Sequence, residues 1–344
     1  METEFDWYEV TPETVDFYGM DRTFVRMPDE RAAAVSEGVR WVARNTAGGR
    51  IRFATDSRNF HLRVQVESCG FIGFDLYRLD GETEVFAGGF RGLEGNCPFI
   101  EKGDFACKTY VNGYVAQKPG VHTYTLNFPY NAHPARVELG LDKGSVLQRG
   151  APYRNEKPVV IYGSSIVNGA WASRPGMTYP AQISQRLNLH YLNFGFSGLA
   201  KGEPAMAEYL AEQEMSAFVM DYDHNATRES LPLTHEPFYK TVRAAHPDIP
   251  ILIVTKPDYL SDPTGSELRA GMIRPTYENA LARGENVTFI EGKTLFNGDS
   301  VGNCTQDGVH PNDLGFYRMA NVIGRALAKS LDLTWPEHYD ESVL

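Results

Sequence analysis

The pattern of apolar residues changes period once along the chain, near Pro158, and that change limits what the chain can fold into. Before it, apolar and polar residues alternate. Phe60-His61-Leu62-Arg63-Val64-Gln65-Val66-Glu67 does so at every position, the mark of a half-buried strand. Residues 122–128 and 137–141 repeat the pattern. Asp80-Gly81 and Asn112-Gly113 supply hairpin turns, because both dipeptides accept positive φ. Short antiparallel strands joined this way predict a β-sandwich or jelly roll over residues 1–152. Ahead of them, Asp29–Val35 reads as a short helix or an irregular lead-in.

After Pro158, strand-like and helix-like stretches alternate. Strands are predicted at residues 159–162, 190–194, 217–221, 249–255 and 287–290. Helices are predicted at 178–187, 203–213, 236–245, 265–283 with a kink at Pro275, and 313–331. Five of each describe an α/β fold: a doubly wound five-stranded parallel sheet with helices on both faces, spanning residues 153–344. The polar stretch 143–158, punctuated by Gly and Pro, marks the boundary. A chain of 344 residues is also longer than one core usually serves.

Composition narrows the function classes. Apolar content of 42% and charged content of 22% belong to an ordinary globular chain. Lys+Arg of 33 against Asp+Glu of 44 gives −11, with no run of like charge, which argues against nucleic acid or an anionic membrane as partner. The acidic start Met1-Glu2-Thr3-Glu4-Phe5-Asp6 has no apolar h-region, and no apolar run approaches the roughly 18 residues that span a bilayer. The expectation is a soluble, cytoplasmic protein. Cys69, Cys97, Cys107 and Cys304 form no Cys-x-x-Cys pair and no zinc-like spacing, which predicts buried free thiols and no metal or other cofactor. Oligomeric state stays open, a homo-oligomer included.

The chemistry-bearing stretch is Val159-Val160-Ile161-Tyr162-Gly163-Ser164-Ser165-Ile166-Val167-Asn168-Gly169. A buried parallel strand that stops at a small-residue corner displays that corner at the carboxyl edge of a sheet, where ligands bind in open α/β folds. A serine there needs a base, an orienting acid and an oxyanion hole. Asp307-Gly308-Val309-His310 offers the first two, at a spacing that puts acid and imidazole on one side of a turn. Asp221-Tyr222-Asp223-His224 has the same Asp-x-x-His spacing and competes for the role. The loop Asn193-Phe194-Gly195-Phe196-Ser197-Gly198 follows the second strand, and Asp221-Tyr222-Asp223-His224-Asn225-Ala226 follows the third. A Gly amide from one and an Asn amide from the other could complete an oxyanion hole.

These four blocks, in this order over residues 158–331, resemble the SGNH (GDSL-type) hydrolases. The resemblance implies Ser165 as nucleophile, with its own N–H, Gly198 and Asn225 forming the oxyanion hole. It implies Asp307 and His310 as the other triad members, and it places His224 inside the third block. Ser164 stands where the family usually has Asp, Asp223 where it usually has Gly, and Ala226 where it usually has Asp. Asp221 or Asp223 is therefore expected to take a structural bond and to point away from the oxyanion.

Gly73-Phe74-Asp75-Leu76-Tyr77 is similar to the Gly-x-Asp-Leu-Tyr signature of β domains attached to one branch of that family. The implied activity is a serine esterase acting on an acyl ester, acetyl above all, of a carbohydrate or other small molecule. Transfer of the acyl group to an alcohol, or sugar binding by a protein whose hydrolase site has decayed, are the alternatives. Tyr77, Phe90, Tyr110, Tyr114 and Tyr130 are either core and edge-strand residues or a sugar-stacking platform.

Overall fold

The computed structural model describes residues 5–69, 73–91, 107–111 and 119–337. Cys97, the Asn112-Gly113 turn and Tyr114 lie outside the described residues, as do the side chains of Cys69, Cys107 and Tyr110. Cys304 is a buried free thiol.

In chain order the first part forms β1 (Phe5–Glu9), β2 (Asp16–Tyr18), α1 (Asp29–Val35), α2 (Glu37–Ala43), β3 (Arg50–Thr55) and β4 (Phe60–Cys69). It continues with β5 (Gly73–Asp80), β6 (Thr83–Arg91), β7 (Cys107–Val111), β8 (His122–Asn127), β9 (Ala132–Asp142) and β10 (Gln148–Arg149). Two antiparallel sheets result, ordered β1-β9-β4-β7 and β10-β3-β8-β5-β6, with β2 on β3. Alternation explains why they stack. Leu62, Val64 and Leu139 from one sheet meet Ile51, Phe53, Leu76 and Leu126 from the other in a single core. Tyr77 and Phe90 are buried, so neither offers a sugar platform. Gly81, at φ +59°, makes the predicted β5–β6 turn.

The second part forms β11 (Val159–Gly163), α3 (Ser165–Asn168), α4 (Tyr179–Leu187), β12 (Tyr191–Gly195), α5 (Pro204–Ala211) and β13 (Ala217–Asp221). It ends with α6 (Leu231–Ala245), β14 (Ile251–Val254), α7 (Pro263–Ala282), β15 (Val287–Ile290), α8 (Val301–Cys304) and α9 (Asp313–Ser330). The five strands are parallel, in the order β12-β11-β13-β14-β15. Successive residues of β11 go to opposite faces. Val159 and Ile161 pack under α4 and α9, whereas Val160 and Tyr162 pack under α5 and α6. Burial on both faces is why β11, β13 and β14 read as apolar runs rather than as alternation.

Four helices depart from the sequence expectation, two of them the short, unpredicted α3 and α8. The α6 helix begins at Leu231, five residues early, because Pro232 sits in the first turn, where its missing N–H costs nothing. The unpredicted α2 is capped by the Ser36 hydroxyl, which accepts the Val39 N–H at 3.1 Å. Ala32, Val39 and Ala43 of α1 and α2 pack into the α/β core, on the α5 side, rather than into the sandwich. The first third of the chain thus covers part of the parallel sheet as well as building its own core. Among the described residues no helix is long and apolar enough to cross a membrane.

Candidate active site

Strand order decides where the site lies. β11 is central, and its last residue, Gly163, is level with Gly195 at the end of β12 and Asp221 at the end of β13. The chain turns to opposite sides of β11 after these neighbours, which makes this carboxyl edge the switch point of the sheet. Glycine at two of the ends permits the approach. A Cβ on Gly163 would stand 2.2 Å from the Asp221 carbonyl oxygen, and one on Gly195 would stand 2.1 Å from the Asn168 nitrogen.

Ser165 is the first residue of α3 and is half-buried. Ser164, fully buried, is the N-cap: its Oγ accepts the Ile166 N–H at 3.2 Å. A hydroxyl therefore supplies the hydrogen bond at this position without adding a charge beside Ser165, a cap worth about 1 kcal/mol. The first N–H groups of a helix have no intrahelical acceptor, so the corner presents donors as well as the Ser165 hydroxyl.

His310 Nε2 lies 2.9 Å from Ser165 Oγ. Its Nδ1 lies 2.7 Å from Asp307 Oδ2, and Asp307 Oδ1 accepts the backbone N–H groups of Val309 at 3.0 Å and His310 at 2.8 Å. Gly308, at φ +87°, closes this turn, and its N–H donates to Thr305 Oγ1. Partial burial works against ionisation of Asp307, but the three hydrogen bonds prevail and hold its carboxyl down at about 2. An ionised acid on Nδ1 favours the tautomer in which Nε2 can accept a proton from Ser165.

Gly198 follows β12 in an exposed loop, at φ +74°, with open space where a side chain would be. Asn225 follows β13 and is half-buried, with its Oδ1 enclosed and unpartnered among the described residues. The strand register therefore puts Ser165, Gly198 and Asn225 on three adjacent loops at one edge.

The competing pair separates. Asp221 Oδ2 is taken by the Tyr179 hydroxyl at 3.1 Å inside the core. Asp223 Oδ2 accepts the Lys256 N–H at 3.2 Å, so both acids make structural bonds. His224 is enclosed, and burial first, then the nearby Lys256, Arg269 and His310, push it down to about 3. It is a neutral histidine beside the site, with its Nε2 unpartnered among the described residues. Among those residues no group of acids, histidines and cysteines is arranged to hold a metal ion.

Sequence reasoning missed the supports of the site. Arg26, buried, donates to the carbonyls of Val42, Asn45, Asn193 and Gly195, tying the lead-in to the end of β12. Tyr130 OH donates to the Ala172 carbonyl at 3.2 Å, and Ser261 Oγ to that of Gly308 at 3.0 Å. None of these residues carries a local motif. Their roles come from pairs far apart in sequence.

Comparison with known proteins agrees with this architecture. Residues 156–328 match the profile of the GDSL-like lipase/acylhydrolase family. Residues 6–147 match the GxDLY profile, the N-terminus of SGNH-hydrolase-type esterases. Among curated proteins none matches by sequence. Among solved structures, a protein from Bacteroides ovatus described as a GDSL-like lipase superposes with a TM-score of 0.82 at 26% identity, over 96% of this chain and 99% of its own. The salicylyl-acyltransferase of a tetracycline biosynthetic pathway superposes at 0.75 with 19% identity, over 94% and 97% of the two chains. A family-two carbohydrate esterase from Clostridium thermocellum, in complex with cellohexaose, does so at 0.61 with 16% identity, over 83% and 93%. The last two share the fold.

Proposed function

Since this chain belongs to the GDSL-like lipase/acylhydrolase family and is a carboxylic ester hydrolase, we propose that it cleaves an acyl ester through a covalent intermediate on Ser165. The observation that carries this reading is the continuous path from Ser165 Oγ through His310 to Asp307, at 2.9 Å and 2.7 Å. In the reading, Oγ attacks the ester carbonyl while His310 Nε2 takes its proton, and Asp307 holds the ring. The N–H groups of Ser165 and Gly198 and the Asn225 amide receive the oxyanion. His310 then returns the proton to the departing alcohol. Water, deprotonated by the same imidazole, releases the acid.

The substrate we assign is an acetylated carbohydrate. Carbohydrate esterases share the whole two-domain arrangement with this chain, and that is the support for it. An acyltransferase shares it too, so the acceptor, water or a sugar hydroxyl, is the second reading. The domain boundary belongs to the same proposal, at residues 152 and 153, just after β10 has paired with β3. A panel of acetylated sugars and short aryl esters tests the reading, with wild type beside Ser165→Ala. We expect Ser165→Ala to lose hydrolysis by about 10⁴ or more while the fold survives. Hydrolysis near the wild-type rate in that variant overturns the assignment. Product analysis with a sugar acceptor present separates hydrolysis from transfer.

A further inference from the structure

The segment Gly73-Phe74-Asp75-Leu76-Tyr77 lies in β5, and a strand sends alternate side chains to opposite faces. Phe74 and Leu76 fill the sandwich core. Asp75 and Tyr77 fall on the other face, which meets Arg174-Pro175-Gly176, in the connection between the Ser165 helix and α4.

The contact is specific. Asp75 is fully buried, its Oδ2 accepts the Gly176 N–H at 2.8 Å, and Arg174 Nε lies 3.3 Å from the same oxygen. Asp75 Oδ1 accepts from Asn127 Nδ2 at 3.0 Å, which orients the carboxylate from its own domain. Tyr77 OH accepts from Arg174 Nη2 at 3.3 Å. Only glycine admits this approach. A Cβ on Gly176 would stand 2.5 Å from the Tyr77 ring and 2.7 Å from Asp75 Oδ2.

One residue earlier, Ser173 donates its N–H and its hydroxyl to the Asp313 carboxylate at 2.8 Å and 2.5 Å. Asp313 opens α9, three positions after His310. A line of hydrogen bonds and chain therefore runs from the β domain, through the connection that leaves the nucleophile helix, to the loop that carries the base. A buried ion pair is a poor source of stability, because apolar groups of the same size hold two surfaces together without its desolvation cost. What it adds is direction.

We propose that Asp75 is a positioning residue: through Arg174–Gly176, Ser173 and Asp313 it fixes the spacing between the Ser165 helix and the His310 loop. The Gly-x-Asp-Leu-Tyr strand then acts as part of the catalytic frame. This rests on the reading of Ser165 and His310 as the catalytic pair.

The test uses the full chain, an aryl acetate for turnover and a fluorophosphonate for the rate of covalent labelling at Ser165, well below the unfolding temperature. In Asp75→Ala, kcat and the labelling rate should fall together by about tenfold or more, with KM within roughly threefold, as expected when reacting groups are misplaced. Asp75→Asn keeps an oxygen for the Gly176 N–H and should recover part of the loss. Ser173→Ala alters an exposed side chain outside the β domain and should show a smaller loss of the same kind. The double variant should lose less than the product of the two single losses. A lower Tm with kcat and labelling within about twofold of wild type, in Asp75→Ala or, if that variant does not fold, in Ser173→Ala, overturns the proposal. Wild type that neither turns over esters nor labels at Ser165 sinks the catalytic reading itself, and the proposal with it.

Discussion

Asp307-x-x-His310 and Asp221-x-x-His224 share a spacing and lie near the same edge of the sheet, yet they occupy opposite environments. In the first, the acid sits in an open turn, one of its oxygens takes two backbone N–H groups, and the other is free to receive the imidazole. In the second, the acid is the last residue of a buried strand and its hydrogen bond goes to Tyr179. His224 is left with Asp223 at 3.8 Å and no hydrogen-bond partner on Nε2 among the described residues. Spacing alone does not make an acid–base pair. The backbone must place the acid where its second oxygen faces the ring, and a strand end committed to the core cannot do so.

The comparison breaks if the two histidines respond alike to substitution. If His310 is the base, His310→Ala should cost the most, about 10⁴ or more in kcat/KM on an aryl acetate. Asp307→Asn should follow with a loss of up to about 10⁴, measured in the same assay, since the amide can donate to Nδ1 and select the wrong tautomer. Asn225→Ala should cost roughly 10²–10³ in kcat if its amide receives the oxyanion; a change below about threefold removes it from that role. His224→Gln should leave kcat within about threefold, although it adjoins His310.

pH sharpens the same contrast. Asp307 stays ionised down to about 2, so its carboxyl should contribute no change in rate above that pH. His224 stays neutral in the fold down to about 3, whereas in the unfolded chain it gains a proton below about 6.5. The unfolded state therefore binds more protons in that window, and the His224 contribution to stability is lost as pH falls through it. Denaturant midpoints from pH 6.5 to 4 should depend less on pH in His224→Gln than in wild type. Equal slopes would place His224 in contact with solvent.

How much of this was legible in the sequence follows from range. The central strands β11, β13 and β14 were legible because burial on both faces makes each a largely apolar run. The Ser164-Ser165 corner after a strand was legible because it is local, whereas spacing left two Asp-x-x-His pairs and only the family resemblance favoured Asp307 and His310. The α2 helix was not legible. Gly38 sits inside it and lowers its intrinsic helix propensity, and its stability comes from packing on the α/β core. Nor was the Asp75–Gly176 contact, which spans 101 residues. The sequence displayed the Gly-x-Asp-Leu-Tyr strand, but what its two outward side chains touch is a property of the fold. The departure at Ser164 resolves locally. Its hydroxyl caps the helix that Ser165 begins, a hydrogen bond that needs no charge.

On the proposed reading, Ser165 is activated by His310 and not by His224. This is tested most directly by the rate at which a fluorophosphonate modifies Ser165, followed by peptide mass mapping, in wild type, His310→Ala and His224→Gln. One adduct per chain is expected, on Ser165, formed at the wild-type rate in His224→Gln and slowed by orders of magnitude in His310→Ala. An adduct on another residue, or fast labelling that survives loss of His310 but not of His224, would contradict it.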